Sequence, residues 1–399
     1  MALDQRIFKL KGVVQHYSWG GYHFIPQLLN IENRNGKPYA EYWMGAHHNH
    51  PALLVNDSEI HLNEFIAGHV SEILGKTVAD KFSSLPYLFK VLDVRQMLSI
   101  QVHPSKQSAE KAFEAENEKG IPVNAPNRNY KDRNHKPELM VALGDFWLLH
   151  GFKSESALLN ILEKKEELLF LKEVFQTKGY KALYEEVMMM EQAKLNEVLH
   201  PLMQKIIPLY NSGTLKKDDE DFWAARAAID FCKNDNYDRG IFSIYLFNLV
   251  HLKKGEAIFQ PAGLPHAYLE GQNVEIMANS DNVLRAGLTD KHIDVPELLK
   301  HVKFEPTLPK ILNPSSKHRV FSSPAEEFEM QQYCLEEGEE VNIFTNTAEI
   351  FLVLDGSLEV KTSNKEFGFK KGECFFVIAE TPLELKALSP INLFRVTVP

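Results

Sequence analysis

A block of helix-patterned residues, about 153 to 233, interrupts a chain that otherwise reads as strands. This limits the fold to a mainly β core carrying an α-helical insertion. Ser154-Glu155-Ser156 opens the block. Leu158, Leu159, Ile161, Leu162, Leu168, Leu169 and Leu171 follow at spacings a helix brings to one side. A second helix is expected from Tyr180 to Leu199 and a third from Phe222 to Phe231. Met188-Met189-Met190 reads as core and rim filler rather than a cofactor box.

The flanks divide accordingly. Residues 1–152 form the first part of the core, 153–233 the insertion, 234–317 the rest of the core, and 318–399 a C-terminal half. The first part mixes apolar runs at 85–92 and 139–143 with turns at Trp19-Gly20-Gly21, Asn35-Gly36 and Asn56-Asp57. One helix, capped by Ser105 or Ser108, is expected to reach Glu118. After the insertion, strands are expected at 241–246, 257–259 and 274–276, then a helix at 296–303. The tail carries short apolar runs at 350–354, 358–360 and 375–378, separated by Asp355-Gly356 and Lys371-Gly372-Glu373. Short strands at this spacing suggest a sandwich or jelly roll.

Charge and composition exclude several function classes. A net charge of −10 and a pI near 5.9 come without a basic stripe, so no nucleic-acid partner is expected. Residues 1–6 hold no apolar signal segment, and no apolar run approaches a membrane span. Cys232, Cys334 and Cys374 form no CxxC pair, and their odd number fits a reducing, cytoplasmic setting. Oligomeric state stays open, and a monomer is compatible with everything read here.

The chemistry lies in three short stretches. Gln101 and His103 sit at i and i+2 in an apolar run, so a strand would direct both side chains to one face. Glu138 follows Asn134-His135-Lys136-Pro137, and His266 follows the Gly/Pro turn Pro261-Ala262-Gly263-Leu264-Pro265. One amide oxygen, two imidazoles and one carboxylate suit a borderline divalent ion such as zinc. Each residue alone has an ordinary reading as a core histidine or a solvated carboxylate, and periodicity does not bring them together.

Lys254-Gly255-Glu256, followed by Pro261-Ala262-Gly263 and His266, resembles the second motif of the cupins. Lys371-Gly372-Glu373 repeats its opening without a following histidine, since the last in the chain is His318. The fold expected from this likeness is two cupin-type jelly-roll halves, the second degenerate, plus the helical domain. The chain as a whole resembles the type I mannose-6-phosphate isomerases. The carrying stretches are Tyr17-Ser18-Trp19-Gly20-Gly21, Ala40 to His47, Leu88 to Leu92, Leu98 to Pro104, Asn134 to Glu138, Pro261 to Gly271, and Ser280 to Thr289.

That resemblance implies one zinc ion per chain on Gln101, His103, Glu138 and His266, and a small sugar phosphate as substrate. It also implies active-site roles for Arg285, Lys136, His135 and Asp281, and sugar contacts from Ser99, Lys90 and Glu275. The implied reaction interconverts mannose 6-phosphate and fructose 6-phosphate by proton transfer through an enediol, with Lys136, His135 and Asp281 all candidates for the base. Where the family commonly has Thr-His-Pro, this chain has Ala46-His47-His48-Asn49-His50-Pro51, read here as a surface loop. Other classes stay in view: an isomerase for another hexose phosphate, a non-catalytic sugar-binding cupin, or a cupin oxygenase. The last usually has a His-x-His pair, and Gln101 occupies its first position.

Overall fold

Strand Tyr87–Val94 is buried at every residue because it is flanked on both edges and covered on both faces. Glu41–Gly45 pairs with one edge and the thirteen-residue strand His266–Ala278 with the other. The long strand also pairs with Glu138–Ala142, Phe146–Phe152 and, through His266, Ile100–Val102. It is the spine of a ten-stranded sheet. The structure is a computed structural model that describes residues 5–55, 59–363 and 365–399. Residues 1–4 of the N-terminal segment and the Asn56-Asp57 turn lie outside the described residues.

Alternation along the strands separates core from chemistry. Tyr87, Phe89 and Val91, Leu139 and Val141, and Val274 and Ile276 point to one face. There they pack against Ile350, Leu352, Phe376 and Phe394 of the C-terminal part. Each such burial contributes about 1.5–3 kcal/mol. The intervening residues Lys90, Glu138 and Glu275 are left for the opposite face.

The tail forms a four-stranded sheet and five strands of an eight-stranded one. Strands Ile7–Lys11, Leu53–Val55 and Glu59–His61, from the N-terminal part, complete the larger sheet, the first pairing with Cys374–Val377. All strand ladders described are antiparallel. Between the two tail sheets Phe351, Phe369 and Phe375 stack, with ring centroids 4.6 and 4.3 Å apart.

The helical block comprises Glu155–Lys164, Leu169–Met189, Gln192–Asn211 and Glu220–Phe231. Ser154 caps the first by accepting from the Ala157 amide. Ser105 likewise caps Lys106–Glu118. Met188 is buried and Met189 is 70% exposed, so the methionine run is core and rim as read. The block shares one core with Ile100, Val102, Leu149, Phe152, Ala267 and Leu284 of the sheet.

Three expectations are corrected. The helix expected from Tyr180 to Leu199 is the end of one helix and the start of another, broken at Met190 and Glu191. Residues 241–246 are not a strand but part of helix Gly240–Leu246, in which every residue is buried. A helix apolar on all sides carries no amphipathic period, so it cannot be told from a buried strand by pattern. Strand and helix also occur in near-equal measure, 33% and 30%, so the fold is mixed rather than mainly β. Among the described residues no helix is long and apolar enough to cross a membrane.

Candidate metal centre and active-site cleft

Glu138 and His266 each open a strand and His103 directly follows strand Ile100–Val102; the three meet within 4.8 Å, all buried. The ladders bring them together: His266 opposes Gln101, while Gln260 and Met277 flank Glu138. His103 Nε2 lies 3.4 Å from Glu138 Oε1, and His266 Nε2 lies 3.2 Å from Oε2. His103 Nδ1 bonds the Asn282 carbonyl at 2.8 Å, and His266 Nδ1 bonds the Leu264 carbonyl at 3.0 Å. A carbonyl only accepts, so each Nδ1 carries a proton, and in its neutral form each ring turns its Nε2 lone pair inward.

Burial lowers the His103 pKa to about 4, outweighing the Glu138 charge, so this ring is neutral near pH 7. Its Nε2 is buried without a hydrogen-bond partner. Glu138 stays ionised: burial opposes this, but Lys136 and the two imidazoles hold its pKa well below the ordinary value. Two lone pairs converging on a buried carboxylate fit a cation between them, and nitrogen with oxygen suits zinc.

Gln101 lines a pocket of about 50 Å³ with Glu138 and His266. It also lines the adjoining cleft of about 460 Å³. Lys90, Lys136 and Glu41 border both spaces. Lys90 Nζ sits 3.4 Å from Glu41 and 3.5 Å from Glu275, with the Trp43 ring beneath it. Burial alone would discharge Lys90, but Glu41, Glu275 and Glu138 raise its pKa above the ordinary value. Glu275 is shifted up, by burial first and the Glu138 charge second, and accepts the Tyr268 hydroxyl at 2.7 Å. Lys136 Nζ lies 3.1 Å from Glu138.

The outer cleft brings in Ser99, Asp281 and Arg285. Burial would raise the Asp281 pKa, but the hydrogen bond from His47 and the Lys136 charge hold it below the ordinary value. Arg285 opposes Gln101 in the ladder. It is largely buried, and burial lowers its pKa. Lys291 lines the same end of the cleft. His135 stands apart from the other expected residues. Its Nε2 bonds Glu327 at 2.5 Å, and it lines neither space.

The expected surface loop at 46–51 is corrected in part. His48 and His50 are exposed, but His47 is only 2% exposed and its Nε2 lies 3.2 Å from Asp281. Sequence reasoning also missed Glu41, Tyr17, Tyr268 and Lys291. Glu41 had a usable signal: at i and i+2, Glu41 and Trp43 share a strand face beside an expected active-site strand, and Trp43 Nε1 donates to Glu41.

Residues 7–155 match the family described as phosphomannose isomerase type I, catalytic domain. The mannose-6-phosphate isomerase of Escherichia coli K12 is 35% identical over 95% of this chain and 96% of its own length. The mannose-6-phosphate isomerase of Homo sapiens is 31% identical, with 97% of each chain covered. Among solved structures, the mannose 6-phosphate isomerase of Salmonella typhimurium bound to fructose 6-phosphate and zinc superposes with a TM-score of 0.88. It shares 34% identity, and the alignment covers 99% of this chain and all of the other.

Proposed function

The chain belongs to the mannose-6-phosphate isomerases of type I, and from that premise we propose how its own residues carry the reaction. It is a zinc-dependent isomerase that interconverts mannose 6-phosphate and fructose 6-phosphate. The observation that carries this reading is the pair of buried Nε2 atoms aimed at Glu138 beside a cleft walled by cations.

Gln101, His103, Glu138 and His266 would hold one zinc ion, which when bound polarises the sugar carbonyl and steadies charge on its oxygen. Asp281 is ionised at neutral pH and faces the cleft, which suits it to accept the C2 proton. The same carboxylate returns the proton to C1, and Lys136, which lines the same cleft, is placed to pass a proton between the C1 and C2 oxygens. Lys90 stays charged between Glu41 and Glu275 and offers donors to the sugar hydroxyls, with Ser99 beside it. Glu275 orients Lys90. His135, tied to Glu327, acts from outside the cleft by fixing the segment that carries Lys136 into strand Glu138–Ala142. Arg285 and Lys291 meet the phosphate, because a largely buried guanidinium with no ion pair among the described residues favours an anion.

A repeated turn supports the reading of two cupin-type halves. In Lys254-Gly255-Glu256 the Glu256 carboxylate accepts the Lys253 amide at 2.8 Å, and Gly255 takes φ 87°. In Lys371-Gly372-Glu373 the Glu373 carboxylate accepts the Lys370 amide at 3.0 Å, and Gly372 takes φ 82°. Only the first turn leads to a histidine, so the second half is structural.

The deciding experiment measures turnover of mannose 6-phosphate, glucose 6-phosphate and unphosphorylated mannose by the zinc-loaded protein. Turnover confined to mannose 6-phosphate supports the reading. Equal turnover of glucose 6-phosphate points to a broader hexose-phosphate isomerase.

A further inference from the structure

His47 lines neither the cleft nor the inner pocket, yet it is buried against one of the cleft's charged walls. Its ring packs edge-on to Trp43 at 4.9 Å between centroids. The Asn49 amide points at His47 Nδ1 at 3.3 Å. An amide N–H only donates, so Nδ1 is the bare nitrogen and the ring proton lies on Nε2. That Nε2–H faces Asp281 at 3.2 Å. Asp281 is held from behind as well, since its amide donates to Asp132 at 2.8 Å.

His47, His48 and Asp281 also fall within metal-ligand distance of one another. The proton inventory decides against a second metal. At His103 and His266 a backbone carbonyl takes the Nδ1 proton and frees Nε2. At His47 a backbone N–H does the opposite and leaves Nε2 protonated.

We infer that His47 is a positioning residue for the isomerisation, its Nε2–H fixing the Asp281 carboxylate toward the substrate from outside the cleft. The inference rests on the reading of Asp281 as a group that acts on the sugar. A neutral donor suits this task, because its Nε2–H, 3.2 Å from both Asp281 oxygens, orients the carboxylate without cancelling its charge.

The test compares His47→Phe, His47→Leu, His47→Gln, Asp281→Asn and His47→Phe/Asp281→Asn as zinc-loaded proteins on mannose 6-phosphate. Phenylalanine keeps the ring against Trp43 and removes the donor; leucine serves if that variant does not fold. Glutamine restores an N–H near the Nε2 position. His47→Phe should lose about ten- to a hundredfold in kcat, the scale of one hydrogen bond to a charged group, with KM within about twofold. His47→Gln should recover most of that loss, and the double variant should be no slower than Asp281→Asn alone. Native kcat in His47→Phe with reduced kcat in Asp281→Asn overturns the role of His47 and spares that of Asp281. Losses that multiply in the double variant overturn it too. Native kcat in Asp281→Asn overturns the reading of Asp281 and this inference with it. A second equivalent of tightly bound zinc, lost in His47→Phe, overturns it in favour of a metal site.

Discussion

Lys90 and Glu275 are partners twice: they oppose each other in the ladder between Tyr87–Val94 and His266–Ala278, and their side chains meet at 3.5 Å. Directly opposed residues share a sheet face, so the backbone pairing itself delivers the ion pair to the cleft. Glu41 enters from the strand on the other edge, at 3.4 Å. One ammonium thus separates two buried carboxylates.

Lys90→Met should therefore cost more than a lost ion pair. Two carboxylates would face each other uncompensated, and the expected destabilisation is about 3–5 kcal/mol, the scale of breaking a buried pair. Lys90→Met/Glu275→Gln should recover part of it. Urea unfolding of the three proteins measures this; equal stability of Lys90→Met and the parent would mean the carboxylates already share a proton.

Zinc content is the direct measure of the metal centre. One ion per chain is expected in the parent protein. Because a lone outer partner is worth roughly 10–100-fold in affinity, losing the ligand His266 in His266→Ala should weaken zinc binding by more than that. Competition against a chelator gives the value. One tightly bound ion surviving in His103→Ala/His266→Ala would remove these residues from the ligand set.

Arg285→Ala should lower kcat/KM for mannose 6-phosphate by about ten- to a hundredfold, as expected for a lost charge-assisted contact. Zinc content should not change. If Arg285 meets the phosphate, the loss falls mainly on KM; if it meets the reacting oxygens, it falls on kcat. Native kinetics would return Arg285 to a structural role.

Most of the site was legible as residues, not as geometry. His103, Glu138 and His266, which the fold brings together, were readable as candidates because each sits in a short stretch with its own backbone logic, the end of a strand or a Gly/Pro turn. That His266 pairs with Gln101 was not readable, since long-range register follows from the whole sheet rather than from either stretch. His47 was misread because an exposed run, His48-Asn49-His50, surrounds it and period alone does not show which imidazole turns inward. Helix Gly240–Leu246 was mistyped because burial on all sides erased its pattern. Lys291 carried no signal beyond charge; its place at the cleft follows from the backbone after Arg285.

Glu297 gives a pH prediction away from the chemistry. Burial would raise its pKa, but bonds from Lys300, Tyr130 and His301 hold it at about 2. The folded value lies below the ordinary 4.5, so the folded state binds fewer protons than the unfolded one between these values. Its contribution is full above about pH 4.5 and is lost as pH falls toward about 2. The stability gap between the parent and Glu297→Gln, read by urea unfolding, should narrow over that window. The side chain is only 19% exposed, so solvent screens its contacts in part and the gap at pH 7 should be about 1–2 kcal/mol. A gap that widens with acid would reverse the assignment.

The route of the hydrogen between C1 and C2 separates two chemistries. In one, a base takes the C2 proton, an enediol forms, and a proton returns at C1. In the other, hydride passes directly between the carbons. Direct transfer needs no titratable group beside the carbons, whereas this cleft places an ionised carboxylate and a lysine on its walls, Asp281 and Lys136. Its metal centre combines nitrogen and oxygen ligands at one position, unlike the carboxylate-rich paired sites that suit hydride shift. Isomerisation in deuterated water should therefore place deuterium at C1 or C2 of the product. Incorporation below one atom per turnover is compatible with a base shielded from solvent, because such a base returns some of the proton it took. The rate of wash-in should fall with kcat in Asp281→Asn. Complete transfer of C2 tritium to C1 over many turnovers, with no solvent deuterium entering, would require a hydride shift and leave Asp281 and Lys136 without a proton to move.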